Sequence, residues 1–370
     1  MNFVRSKELR EPKMTKEELT RYNVGEDLDM IMNLDPRGYG ICRILYAGSR
    51  KFTGSPVAMN AAQKLCRTVK AGDVVFIVTG FVLLPHKMPE TDGFVSSMLL
   101  ARALVLALDA KPVIVCPAES EAAVEKCSNV VGLHFYEDLK TVKKLPLSLG
   151  CVVFEKDRKK AAAQAKEILD SVKPSAVISI EAPGANAKGE YHNATGINVT
   201  ALQAKSDILF SEIRKKGILN IAIGDLGNES GMGSIAAHIR KYVPYTAAGE
   251  CKCKCRGGIL SAVQADNIIT STTSDWGCYA MIAAMAYLRK DPDICPTGDM
   301  EKEVMRVGSR AGMIDMTGSL IPGIDGFNAR LNGSIIDMMY QCVGYALKYK
   351  GGDHWFSGVI GKKYFAKVGV

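Results

Sequence analysis

The chain is predicted to fold as an α/β protein, a mainly parallel sheet with helices on both faces in a Rossmann-like three-layer arrangement. Three observations predict it. Short apolar runs such as DVVFIVT (73–79), AVISI (176–180) and LNIAI (219–223) show no inside–outside alternation. Strands buried on both faces need that pattern. Longer stretches of helical character separate these runs, and the two kinds of segment take turns along the chain, as repeated βαβ crossovers require.

The elements follow in order. Residues 1–26 are polar and charged and read as an arm, helical or frayed; residues 27–370 read as one α/β domain, with a division into two lobes left open. Residues 73–79 are a buried strand and 94–108 an amphipathic helix. A strand at 112–116 (PVIVC) precedes a helix at 119–127. Residues 151–154 form a strand and 158–171 a helix rich in Ala and Lys. The strand at 176–180 precedes a helix at 198–215, and the strand at 219–223 comes next. Residues 267–271 are a further short strand; 278–288, 300–308 and 334–348 read as helices.

Composition removes several function classes. The 370 residues are 47% hydrophobic and 23% charged, enough for a large core and too apolar for a disordered chain. The net charge is +8, but the cations are scattered in short clusters such as Arg158-Lys159-Lys160 and Arg214-Lys215-Lys216. Nucleic-acid binding would ask for a concentrated stripe with interleaved aromatics, so no nucleic-acid partner is expected. The longest apolar stretch, 94–108, is broken by Ser96, Ser97 and Arg102, so no membrane span is expected. No secretory h-region is seen near the N-terminus, and Glu8 and Glu11 argue against a transit peptide. The expected location is cytoplasmic, or the mitochondrial matrix in a eukaryote, with reduced thiols. A small-molecule substrate is the expected partner, and a homo-oligomer is left open.

Ligands of such sheets sit outside the carboxyl ends of the strands. After 73–79 come Gly80 and Phe81, then His86, then Glu90-Thr91-Asp92-Gly93. After 176–180 come Glu181 to Gly184 and, further on, Tyr191, His192 and Asn193. After 219–223 comes GDLGNESGMG (224–233), with Asp225, Gly227, Asn228, Glu229 and Gly231. After 267–271 come Ser274, Asp275 and Trp276. Four strand ends thus carry an acid. Each motif has a plainer reading. Glu90 or Asp92 could be a helix N-cap, 225–233 a tight turn, and Trp276 ordinary core. Their convergence at strand ends favours a site that binds a small polar substrate. The glycines at 224–233 do not fit the dinucleotide fingerprint.

Cys251, Cys253 and Cys255 alternate, which on a strand would align three thiols on one face. Paired zinc ligands usually have wider spacing, so a reduced structural or incidental cluster is favoured over a metal site. His192 and His86 lie in candidate loops, while His134 reads as packed on an apolar strand.

VTGF (78–81), ETDG (90–93), EAPG (181–184) with Gly189, Tyr191 and Asn193, GDLGNESGMG (224–233), SDWG (274–277) and IDGF (324–327) occur in one order. Over residues 27–348 this set resembles the D-glutamate cyclase family, specifically the C-terminal domain shared by the mitochondrial enzyme and bacterial single-domain proteins. Departures are Ala182 in place of Arg, Leu226 in place of a second Gly, and Asp275 in place of Asn.

The resemblance implies a lyase that converts D-glutamate to 5-oxo-D-proline and water by intramolecular cyclisation. Asp225 and Glu229 would hold the ammonium, one of them as base. Glu90, Asp92 or Asp275 would be the acid. Glu181, Asn193, Asn228, Ser274, Trp276 and Asp325 would contact or position substrate, with Arg330 helping to close the site. Backbone N–H groups from Gly227 through Gly231 to Gly233 would receive a carboxylate or oxyanion. No cofactor is required; Mg²⁺ or Mn²⁺ on the acids is an open alternative. A different small amino- or hydroxy-acid lyase or hydrolase, or a metabolite-binding protein without turnover, also stays open.

Overall fold

The computed structural model describes residues 15–348, 353–362 and 364–365. Seven parallel strands form its central sheet: β1 (Val74–Val78), β2 (Lys111–Cys116), β3 (His134–Tyr136), β4 (Ser148–Val153), β5 (Ala176–Ile180), β6 (Leu219–Gly224) and β7 (Ile268–Thr270). Their spatial order is β3-β4-β2-β1-β5-β6-β7. Every residue of β1, β2 and β5 is buried. This explains why their sequences are apolar without alternation.

Alternate strand residues feed two helical layers. Val75, Ile77, Ile114, Ile178, Ile221 and Ile223 join one core with helices Lys16–Met32, Val57–Thr68, Phe94–Leu108, Ser274–Arg289 and Ala329–Lys348. Val74, Phe76, Val78, Val113, Val177 and Ala222 join the other, beneath helices Ile41–Thr53, Arg158–Ser171, Ser206–Lys215 and Ala236–Tyr242. The three-layer expectation holds.

Several expectations are corrected. The boundary drawn after residue 26 falls inside Lys16–Met32, a helix opened by a Thr15–Glu18 capping box. Within the expected arm that helix buries Leu19 and Val24, so this part of it packs into the fold; residues 1–14 of the arm lie outside the described residues. Helix Phe94–Leu108 is buried on nearly every side rather than amphipathic, because the sheet, Ser274–Arg289 and Gly298–Arg310 all pack against it. The helix expected from 198 starts only at Ser206. Before it, Asn198 Oδ1 accepts from the Thr200 N–H at 2.9 Å, a local turn that competes with helix. Gln203 is drawn aside by paired hydrogen bonds to the Val82 backbone. His134 is exposed, because β3 is the edge strand. Among the described residues, no helix is long and apolar enough to cross a membrane.

Candidate active site

The chain passes from β1 to β2 on one side and later returns to β5 on the other. The strand order reverses there, so the segments that leave the carboxyl ends of the paired strands β1 and β5 part and open a crevice. A cavity of about 220 Å³ fills it, lined by Phe81, Glu90, Asp92, Glu181, Asn193, Asp225, Asn228 and Asp325 among others. A second cavity of about 170 Å³ adds Asp35, Arg37 and Thr272. The two share Ala194, Asp225, Leu226, Met316 and Asp325 and therefore form one cleft.

Two helix N-termini meet behind the cleft and cap each other crosswise. Asp92, just before helix Phe94–Leu108, accepts from the N–H groups of Ser274 (3.1 Å) and Asp275 (2.9 Å) at the start of Ser274–Arg289. In return Asp275 accepts from the N–H groups of Gly93 (3.2 Å) and Ser96 (2.5 Å). The free N–H groups and positive dipole ends of both helices are thereby answered by carboxyls. Glu181, in the left-handed region at φ +45°, accepts from the Ser274 hydroxyl at 2.7 Å. Asp325, at φ +54°, pairs with Arg37 at 2.5 Å. Arg37 also donates to the Thr272 carbonyl (3.1 Å) and lies 4.7 Å from the centre of the Phe327 ring.

The cleft is electrostatically unbalanced. Among the described residues, six carboxyl groups, those of Asp35, Glu90, Asp92, Glu181, Asp225 and Asp325, line it against the guanidinium of Arg37. Burial first, then repulsion from neighbouring carboxyls, raises Glu90, Asp92, Glu181 and Asp225 well above the ordinary carboxylate range. Burial raises Asp325 too, although Arg37 pulls the other way. Asp275 is pushed up to about 7 by burial. Such a cluster holds protons near neutral pH or draws in a cation. Asp92, Glu181 and Asp225 each bring an oxygen within 4.8 Å of the others, a donor set suited to a hard cation.

Other expected site residues lie elsewhere. Glu229 is wholly buried and accepts the N–H groups of Asp225 (2.9 Å), Leu226 (2.7 Å) and Gly227 (2.6 Å). It shapes the loop from within and does not line the cleft. The same bonds use the Gly227 N–H, while those of Ser230, Met232 and Gly233 go to backbone carbonyls. The expected backbone anion cradle is therefore largely spent. Gly231 is needed for packing, since a Cβ there would lie 2.1 Å from that of Ala222. Trp276 is core: its indole donates to Asn332 at 2.7 Å and stacks on Phe327. Arg330 and His86 are exposed and do not line the cleft. Asp275 and Ser274 stand behind Asp92 and Glu181 and hydrogen-bond to them. Sequence reasoning missed Arg37. Its signal was a cation in a Pro/Gly turn, LDPRGYG (34–40), just before a helix.

A family model described as "D-glutamate cyclase-like, C-terminal" matches residues 28–340. The chain belongs to this D-glutamate cyclase-like family. Among curated proteins, the human mitochondrial D-glutamate cyclase is 32% identical over 113 residues, covering 30% of this chain and 17% of that protein. The match thus spans a minor part of that relative's length. In this D-glutamate cyclase-like chain each motif of the ordered set reaches the cleft or the layer behind it, through Phe81, Asp92, Glu181, Asp225, Ser274 and Asp325. Ala182 is wholly buried, and the cleft's guanidinium is that of Arg37.

Proposed function

We propose that the cleft binds D-glutamate and closes it to 5-oxo-D-proline with release of water, making the chain a lyase. Family membership supports the reaction class. The observation that carries the reading is the convergence of Glu90, Asp92, Glu181, Asp225 and Asp325 on one cleft with Arg37.

The chemistry asks little beyond orientation and proton relay. The α-amine attacks the γ-carboxyl carbon, a C–N bond forms, and a carbon–oxygen bond breaks. Both protons that leave nitrogen end on the departing oxygen as water, so no net acid is consumed. Carboxyl groups with raised pKa values suit both halves of that relay at neutral pH. Asp225 and Glu181 hold the ammonium, and Asp225 takes its first proton. Glu90, kept protonated by burial, delivers a proton to the departing oxygen. Arg37, already beside the cleft, anchors the α-carboxylate. Holding substrate in the attacking conformation supplies much of the remaining acceleration. In an alternative arrangement, Asp92, Glu181 and Asp225 would hold Mg²⁺ or Mn²⁺ in place of the ammonium, and the ion would offset the excess negative charge and polarise the γ-carboxyl group. The eleven unpaired cysteines support a reducing compartment, the cytoplasm or a mitochondrial matrix.

Asp225→Asn keeps the side chain's size and removes the base. Turnover of D-glutamate is expected to fall by roughly 10²–10⁴ with the melting temperature unchanged. A folded variant with the native rate would remove Asp225 from the mechanism.

A further inference from the structure

The three alternating cysteines do not lie on a strand. They occupy a loop of bends and turns whose base is closed by the Gly249 N–H on the Arg256 carbonyl at 2.9 Å. The loop docks through the Lys252 N–H on the Gly196 carbonyl at 2.7 Å. This brings it to the segment that contains His192. The sulfurs of Cys251, Cys253 and Cys255 and one ring nitrogen of His192 then lie within 4.8 Å of one another. The separations are specific. Cys251 Sγ is 3.7 Å from Cys255 Sγ and 3.9 Å from Cys253 Sγ. His192 Nε2 is 3.2 Å from Cys253 Sγ and 3.5 Å from Cys255 Sγ.

A tetrahedral zinc ion with its usual bond lengths sets ligand–ligand edges of about 3.8 Å between sulfurs and about 3.6 Å between sulfur and nitrogen. The four atoms approach that geometry. A disulfide would need sulfurs at about 2.05 Å and leaves His192 unexplained. We propose that Cys251, Cys253, Cys255 and His192 form a structural zinc site, separate from the carboxylate cleft.

The surroundings fit a thiolate-bound cation. Three thiolates, a neutral imidazole and Zn²⁺ sum to a single negative charge. Lys252, Lys254 and Arg256, which alternate with the cysteines, are exposed around it. Hydrogen-bond donors point at the sulfurs: the Gly257 N–H (3.3 Å) and Asn186 Nδ2 (3.6 Å) toward Cys255, and Asn198 Nδ2 (3.9 Å) toward Cys253. Such contacts orient metal ligands and spread the thiolate charge. Four protein ligands complete the zinc shell and reserve no position for substrate, the mark of a structural site. Its consequence is mechanical. Asn193, Ala194 and Thr195, which follow His192 directly, line the cleft. The Asn228 side chain, also on the cleft wall, donates to the His192 carbonyl at 3.0 Å. The zinc site therefore braces one wall.

The test is metal analysis of the untagged full chain purified under reducing conditions. About one zinc per chain is expected. Chelator-stripped protein reloaded with Co²⁺ should show thiolate-to-cobalt charge-transfer absorption and the visible bands of a tetrahedral ion. Cys253→Ser and the Cys251→Ser/Cys255→Ser pair should lose both, whereas His192→Cys, which offers a four-thiolate shell, should keep them. A folded wild-type chain that binds neither zinc nor cobalt would overturn the proposal. So would metal held equally well by the paired variant, or cobalt spectra without thiolate bands, since both would place the ion on oxygen ligands. None of these readouts depends on turnover, so they stand or fall apart from the cyclase reading.

Discussion

Glu301 is a carboxyl with little to hold its charge. It is buried on helix Gly298–Arg310, accepts one bond from the Tyr279 hydroxyl at 3.1 Å, and its second oxygen has no partner among the described residues. Burial pushes it up to about 8. The unfolded chain releases that proton near the ordinary glutamate value, while the folded chain keeps it until pH approaches 8. Between those values the folded state binds more protons, so this group's contribution to stability falls as pH rises. Glu301→Gln keeps an acceptor and removes the charge. Its stability relative to wild type is expected to grow from pH 5 to pH 8.5 in urea unfolding; a constant difference across that range would show that Glu301 is ionised in the fold. The same scale explains what could be read from sequence alone. Asp225 and Glu181 were legible because an acid directly after a buried strand can point only at the crevice. Glu229 was misread because its three bonds to the N–H groups of its own loop depend on loop closure, which spacing does not encode. Arg37 was missed because it enters the cleft from a turn remote in sequence from the other motifs.

At the scale of elements, the crossed caps make the starts of Phe94–Leu108 and Ser274–Arg289 one unit. Gly93 sits at its centre with φ +75°, and a Cβ there would lie 2.5 Å from Glu181 Cβ and 2.7 Å from the Ile180 carbonyl. Gly93→Ala must therefore displace Glu181 or the helix start. A stability loss of about 1–3 kcal/mol is expected, together with a greater than tenfold fall in D-glutamate turnover. Native turnover in that variant would mean that the position of Glu181 does not matter. The buried strands and helices Phe94–Leu108 and Arg158–Ser171 were legible because their burial is written in unbroken apolar runs or in clear helical periodicity. Helices Ile41–Thr53 and Val57–Thr68 were not. Both are amphipathic, but neither opens on a side-chain cap: the first starts after Gly40 and the second after Pro56, so the usual start signal is absent from the sequence. The zinc-like cluster was half legible: three cysteines stood in the sequence, but the fourth ligand comes from about sixty residues earlier, and only the docked loop brings it in.

For the whole molecule, the parallel sheet and its two helical layers were legible, because alternating apolar and helical segments leave few other arrangements. The strand order was not, because nothing in a buried run says which neighbour it takes. Yet that order creates the crevice, by sending the chain from β1 to opposite sides. The seating of Lys16–Met32 in the core was hidden by its polar exposed face. The central claim is that the acid-lined crevice cyclises D-glutamate. The most direct test is proton NMR of D-glutamate, with L-glutamate as control, incubated with the pure chain as isolated, after chelation, and after Mg²⁺ or Mn²⁺ is restored. The account predicts 5-oxoproline from the D-isomer alone. No product from folded protein under any of the three conditions, with binding of D-glutamate or without it, would contradict the cyclase reading.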